Sequence, residues 1–444
     1  MEKATPITPE NLAAFQKSYD GNAQLQAMTN VLFKTDIANA AFNNRAASKL
    51  VHKFSINIPT MAVTNQKASG RCWLFAALNV LRERIANENN IEFFELSQSY
   101  AAFWDKFERA NYFLESVLDT ADAPVDDRTV KYILQTGVFD GGQWDMFVNI
   151  VKKYGVIPKD AMPETHQSCA TNPLNDLLNK KLKEDAFELR AMAKTASADA
   201  VAARKTEMLD ELYSFLCTCY GAPPASFDFE YVDKDKNYHI EKGYTPASFT
   251  EKYIGNMLDD YVSVIHAPTA DKPFNKMFTV AYLGNVVGGE IIRYLNLPME
   301  ELKALVLKQL SDGEVVWFGS DVGYYGSRDD GFWDDQSFQY APVTGLSFGM
   351  TKEQRLDYGC SAMNHAMVLT GVNVDDGKPN RWKIENSWGD EKGDKGYFIC
   401  SDSWFDEFVF QAVINKKYLG EKAELLKQEP IVLKPWDPMG SLAD

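Results

Sequence analysis

The sequence predicts an α+β fold, and three observations carry that prediction. After Cys72 the apolar residues Leu74, Leu78, Leu81 and Ile85 are spaced 4, 3 and 4 apart, which is one apolar face of a helix. Leu174, Leu178 and Leu182 recur every fourth residue in a second helical stretch. Against these stand the unbroken apolar runs Val315-Val316-Trp317-Phe318 and Ala366-Met367-Val368-Leu369, which have the length and composition of buried strands.

The elements follow in order. Thr8-Pro9-Glu10 reads as an N-cap followed by proline at the first helical position, so residues 8–50 are expected as helices outside the core. A helix is expected at about 72–87, and Ser97 caps another. In Phe139-Asp140-Gly141-Gly142-Gln143-Trp144 a glycine pair precedes a helix. Residues 172–220 read as helical. After Pro223-Pro224 the chain turns aromatic and is expected to be strand-like to about 255. Pro298 opens a helix over 299–311, and Val315–Gly319 is a buried strand. Asn364-His365 leads into a further strand, and Lys383-Ile384-Glu385-Asn386 ends its neighbour. No internal repeat and no low-complexity tract is found.

Composition narrows the function. The 444 residues are long for one ordinary domain, and 45% hydrophobic content suits a sizeable core. A formal charge of −16 disfavours nucleic acid and anionic membranes as partners, because phosphate contacts need a basic face. Met1-Glu2-Lys3-Ala4-Thr5-Pro6 has no hydrophobic signal core, and no run approaches membrane-spanning length. Six cysteines in so long a chain do not resemble a disulfide scaffold. A cytoplasmic location is the expectation.

The chemistry concentrates around Cys72. It lies where a loop becomes a helix, near the positive end of the helix dipole, which favours a thiolate. Gly70 allows a sharp turn there. Gln66, six residues earlier, offers a side-chain amide beside the Cys72 backbone N–H, and two such donors make an oxyanion hole. A thiolate needs a base, and the base an orienter. His365 and Asn386 are the candidates: they end neighbouring strands, and an Asn oxygen accepting the imidazole N–H fixes the tautomer that faces the thiol. Trp388 is expected to cover that bond and exclude water.

The segments Gln66…Cys72-Trp73, Asn364-His365-Ala366 and Asn386-Ser387-Trp388-Gly389 together resemble the papain-like cysteine peptidases. Ser69-Gly70-Arg71-Cys72-Trp73 is similar to one branch, that of bleomycin hydrolase and aminopeptidase C. The ending Pro435-Trp436-Asp437-Pro438-Met439-Gly440-Ser441-Leu442-Ala443 is similar to that branch's C-terminal arm, with Ser441 where Ala is expected. The resemblance runs along essentially the whole chain.

It implies a helical subdomain and an antiparallel β-barrel-like subdomain, enlarged by helical and hook insertions. Residues 1–150 would hold the helical part with Cys72, and 151–312 the insertions. Residues 313–430 would form the β part with His365 and Asn386, and 431–444 an arm entering the cleft. His365 follows Cys72 by roughly 290 residues, where the ordinary papain spacing is about 130–150, and the excess falls mainly between Gly142 and Val315. The resemblance also implies a cysteine aminopeptidase acting on peptides with a free N-terminus, assembled as a homohexamer, with no cofactor and no metal. Gly141 and Gly142 would line the cleft. The terminal carboxylate, of Asp444 or of Ala443 after self-trimming, would bind the substrate's ammonium.

Three other readings compete. An endopeptidase shares the triad. A transglutaminase shares the Cys–His chemistry but pairs its His with Asp. A non-catalytic ring-shaped peptide-binding assembly needs no triad. Taken singly, Cys72 is a small buried hydrophobe and His365 a core histidine; their combination with Gln66 and Asn386 favours catalysis. Cys169, Cys217, Cys219, Cys360 and Cys400 are read as buried thiols, and His52, His166, His239 and His266 have no ligand spacing. The pairs Asp126-Asp127, Asp259-Asp260, Asp329-Asp330 and Asp334-Asp335 are expected in solvated loops, and Gly288-Gly289 is too sparse for a phosphate loop.

Overall fold

A computed structural model describes residues 4–442. The fold is mixed α+β, as the spacing predicts. Thr8 caps the Pro9–Asp20 helix with a full capping box. Ser97 caps Gln98–Asp119 by accepting from the Tyr100 N–H, and Pro298 precedes Met299–Ser311. Residues 172–220 form two helices, Asn172–Met192 and Ala198–Tyr220, the second capped by Ser197.

One sheet organises the rest. Its order runs Ile431–Leu433, Lys276–Val280, Tyr294–Asn296, Tyr261–Ile265, Val409–Asn415, Val316–Ser320, His365–Asp375, Lys378–Glu385, Tyr397–Ser401, then two short strands at 332–333 and 326–327. His365–Asp375 pairs antiparallel with Lys378–Glu385 on one side and with Val316–Ser320 on the other. Their central residues are buried almost throughout, which is why these strands read as continuous apolar runs. Residues 261–296 supply three strands of this same sheet, so the long stretch between Gly142 and Val315 is only partly a helical insertion.

The Cys72–Glu88 helix packs across this sheet. It is buried on nearly all sides, not along one face. Its polar residues Asn79 and Arg82 point inward because partners wait there: both donate to the Glu385 carboxylate, at 2.9 and 3.1 Å. Burial pushes Glu385 up to about 7, against the pull of Arg82.

Three expectations are corrected. The aromatic stretch after Pro223-Pro224 is a hairpin, Phe227–Val232 with Tyr238–Tyr244, but it ends there, and Pro246–Tyr253 is a helix. Thr245-Pro246 carries the same cap-and-proline signal as Thr8-Pro9; the aromatic content masked it. Among the cysteines Cys400 is buried and Cys360 is exposed, while Cys169, Cys217 and Cys219 are half-buried. Asp334 is buried rather than solvated, accepting from the Ser337 hydroxyl at 2.5 Å.

Candidate active site

Cys72 opens its helix, with Arg71 at the cap position. Arg71 is buried and donates to both oxygens of Glu164, at 3.1 and 2.7 Å. This bidentate pair pins the residue before the thiol. The Ala366 backbone N–H points at the Cys72 sulfur from 3.4 Å. Since Ala366 follows His365, the strand brings imidazole and thiol to one place.

His365 is buried, and its Nε2 lies 2.9 Å from the Asn386 side-chain oxygen. That oxygen also accepts the Ser387 N–H at 2.8 Å, so the amide cannot rotate freely. Antiparallel pairing of the two strands places residues so distant in sequence side by side. The Trp388 ring stacks on His365 with centroids 4.8 Å apart and planes 27° apart. Burial pushes the imidazole down to about 4; the Asn386 bond opposes this and Arg328 adds to it. A proton on this imidazole is therefore unfavourable unless an anion lies beside it.

Gln66 is held from three directions. Its backbone N–H donates to Ser387 O at 2.8 Å. Its side-chain Nε2 donates to Ser69 O at 2.5 Å, and its Oε1 accepts the Ser387 hydroxyl at 2.6 Å. One amide hydrogen remains for an oxyanion.

A buried hub lies behind this loop. The Asp140 carboxylate accepts the Gly70 N–H at 3.0 Å, Lys106 Nζ at 2.5 Å, Asn175 Nδ2 at 3.1 Å and the Thr171 hydroxyl. Burial raises such a carboxyl, but Lys106 and the remaining donors hold it well below the usual range. Its carbonyl takes the Trp73 indole N–H at 2.6 Å. Gly142 must be glycine, since a Cβ there would collide with that indole. Gly141 lines a cavity of about 280 Å³ with mostly apolar walls, closed on one side by Gly440, Ser441 and Leu442.

The C-terminal arm thus reaches the site. Ile431–Leu433 joins the sheet edge in parallel with Lys276–Val280. The Arg128 guanidinium covers Trp436 at 3.7 Å, and buried Lys272 pairs with Asp437 at 2.9 Å. Met439 is buried. Gln143 Nε2 then donates to Ser441 O at 2.6 Å, and the Ser441 hydroxyl donates to Met363 O at 2.6 Å. The serine that departs from the expected alanine gains a bond to the strand approach of His365. Ala443 and Asp444 lie outside the described residues.

Sequence reasoning missed Ser69, Ser387, Asp140, Gln143, Met363 and Arg328. Asp140 and Gln143 sat beside the flagged glycines, Ser69 and Ser387 within the quoted motifs and Arg328 beside Asp329-Asp330; Met363 carried no local signal.

The sequence model of the Peptidase C1-like family matches residues 6–440. The chain is 50% identical to an Aminopeptidase C of Lactobacillus delbrueckii subsp. lactis over 95% of this chain and 94% of that one. It is 49% identical to an Aminopeptidase C of Listeria monocytogenes over 99% of each. Among solved structures it is similar to PepW from Lactobacillus rhamnosis, with a TM-score of 0.97, 50% identity and full coverage of both chains.

Proposed function

The chain belongs to the Peptidase C1-like family and is a cysteine-type aminopeptidase, and from that premise we propose a thioester mechanism. The Cys72 thiolate attacks the carbonyl carbon of the first peptide bond. The carbonyl electron pair moves to oxygen, which the Cys72 N–H and the second hydrogen of Gln66 Nε2 receive. Collapse expels the amine, which takes its proton from His365. Water then attacks the thioester with His365 as base, releasing one residue and restoring the pair. Asn386 holds the imidazole plane throughout.

The observation that carries the exopeptidase reading is the arm. Its Ser441 is bonded between Gln143 and Met363 beside the site. A chain end there blocks longer insertion, and its terminal carboxylate would select the ammonium of a free N-terminus. Deleting Ser441 to Asp444 is expected to weaken aminopeptidase activity and to gain cleavage of N-blocked peptides. A truncated enzyme that stays a strict aminopeptidase removes the arm from specificity; a full-length enzyme that cleaves N-blocked peptides favours the endopeptidase reading.

The proposed homohexamer rests on the family resemblance, supported by apolar side chains left at the surface. Phe187 on the Asn172–Met192 helix is 79% exposed, and Tyr238 on the hairpin 61%, the kind of exposure that marks contact surfaces. Light scattering is expected to return a closed oligomer of six chains; a species of 50.0 kDa at micromolar concentration defeats this. A cytoplasmic location fits the absence of disulfides among the described cysteines. Among the described residues no helix is long and apolar enough to cross a membrane.

A further inference from the structure

Two groups pack on the Trp388 ring. His365 stacks on it at 4.8 Å, and the Arg328 guanidinium lies 4.0 Å from the ring centroid. Arg328 is exposed and forms no ion pair among the described residues. Its acidic neighbours are engaged elsewhere: Asp329 binds Lys392, and Asp330 accepts the Ser327 hydroxyl at 2.6 Å. Arg328 is only a lesser influence on the Asp329 carboxyl, which Lys392 dominates. Arg328 is thus a solvent-facing guanidinium, stacked on Trp388, with its fork open to a ligand.

The direction of the reaction says what passes it. The arm fills the side of the site lined by Gly141, Gln143 and Met363. The residue to be released lies between arm and thiol. The leaving amine takes its proton from His365, so the departing peptide runs past the imidazole and along Trp388. We propose that Arg328 is a specificity-determining residue that pairs with a carboxylate on the departing peptide. The two stacking distances, laid end to end, put the guanidinium no more than about 9 Å from the imidazole centre. Extended chain advances roughly 3.3–3.6 Å per residue. The partner is therefore a C-terminal carboxylate two residues beyond the scissile bond, or an acidic side chain on the first or second of those residues. The guanidinium fork suits either. This inference rests on the aminopeptidase reading above.

The test compares kcat/KM within two peptide pairs. The first is Leu-Ala-Ala with a free carboxylate against its C-terminal amide. The second is amidated Leu-Glu-Ala against amidated Leu-Gln-Ala. The wild type is expected to favour a carboxylate by about three- to fivefold at low salt, because exposed ion pairs contribute little, with the preference shrinking as salt rises. Arg328→Lys should keep part of it, Arg328→Gln abolish it and Arg328→Glu reverse it. Comparing two peptides on one enzyme cancels any general loss of activity. A response confined to the first pair identifies the chain terminus as the ligand, and one confined to the second identifies the side chain. Cleavage of all four peptides without preference, or an equal preference in wild type and Arg328→Gln, overturns this inference alone. A wild type that cleaves none of them overturns the aminopeptidase reading with it.

Discussion

Cys72→Ser is expected to lose at least about 10³-fold in kcat while remaining folded, because a hydroxyl in this pocket ionises far less readily than a thiol. Retention of more than a few per cent of turnover would show that another group is the nucleophile. The same variant exposes the behaviour of His365. With no thiolate beside it, the imidazole faces only burial and Arg328, which push it down to about 4, and the Asn386 bond, which resists. Nitrogen NMR should find it neutral from about pH 5 upward. The sign of the stability effect follows. The unfolded chain takes this proton below the ordinary value of 6.5, and the folded pocket refuses it until about 4. The variant should therefore lose stability as pH falls through that window, and not as pH rises.

Gln66→Ala is expected to lower kcat by about 10²–10³, the usual effect of removing one oxyanion donor. The structure supplies a sharper variant. Gln66→Glu keeps the shape and can still accept the Ser387 hydroxyl, yet it places a carboxylate where a donor is needed. Its loss in kcat should equal or exceed that of alanine, and its melting temperature should fall at least as far, because a buried carboxylate then faces the Ser69 carbonyl that Nε2 now bonds. Asn386→Ala should cost less, since Asn386 orients His365 and bears no transition-state charge. Kinetics in which folded Asn386→Ala falls far below folded Gln66→Ala would reverse the assignment of roles.

What could be read in advance was local. A cap followed by proline marks the helix start at Thr8, a proline alone the one after Pro298, and periodicity the helix after Cys72. Apolar runs mark the strand after His365, which pairs with the strand ending before Asn386. What could not be read depends on partners far away in the chain. Asp140 acquires its role only because Gly70, Lys106, Thr171 and Asn175 converge on it. Asn79 and Arg82 break the apolar pattern of their helix, and only the buried Glu385 opposite explains them. Arg328 lay beside an acidic pair that drew attention to itself as a solvated loop. The strands between Tyr261 and Asn296 join a sheet whose other members come from the far end of the sequence, and no local signal announces that.

If the arm sets exopeptidase specificity as proposed, its anchorage makes it a ruler. Main-chain pairing at Ile431–Leu433, the ion pair at Asp437, the buried Met439 and the two bonds at Ser441 fix the arm, so its reach would be set by the residues after Ser441. Lengthening or shortening this segment by one residue moves the chain end by roughly 3.3–3.6 Å, the length of one residue of substrate. Under the proposed role of the arm, the number of residues removed per turnover would be set by the arm rather than by the thiol. On that reading, shortening the arm by one residue should make room for a second residue ahead of the scissile bond and shift the product from single amino acids towards dipeptides.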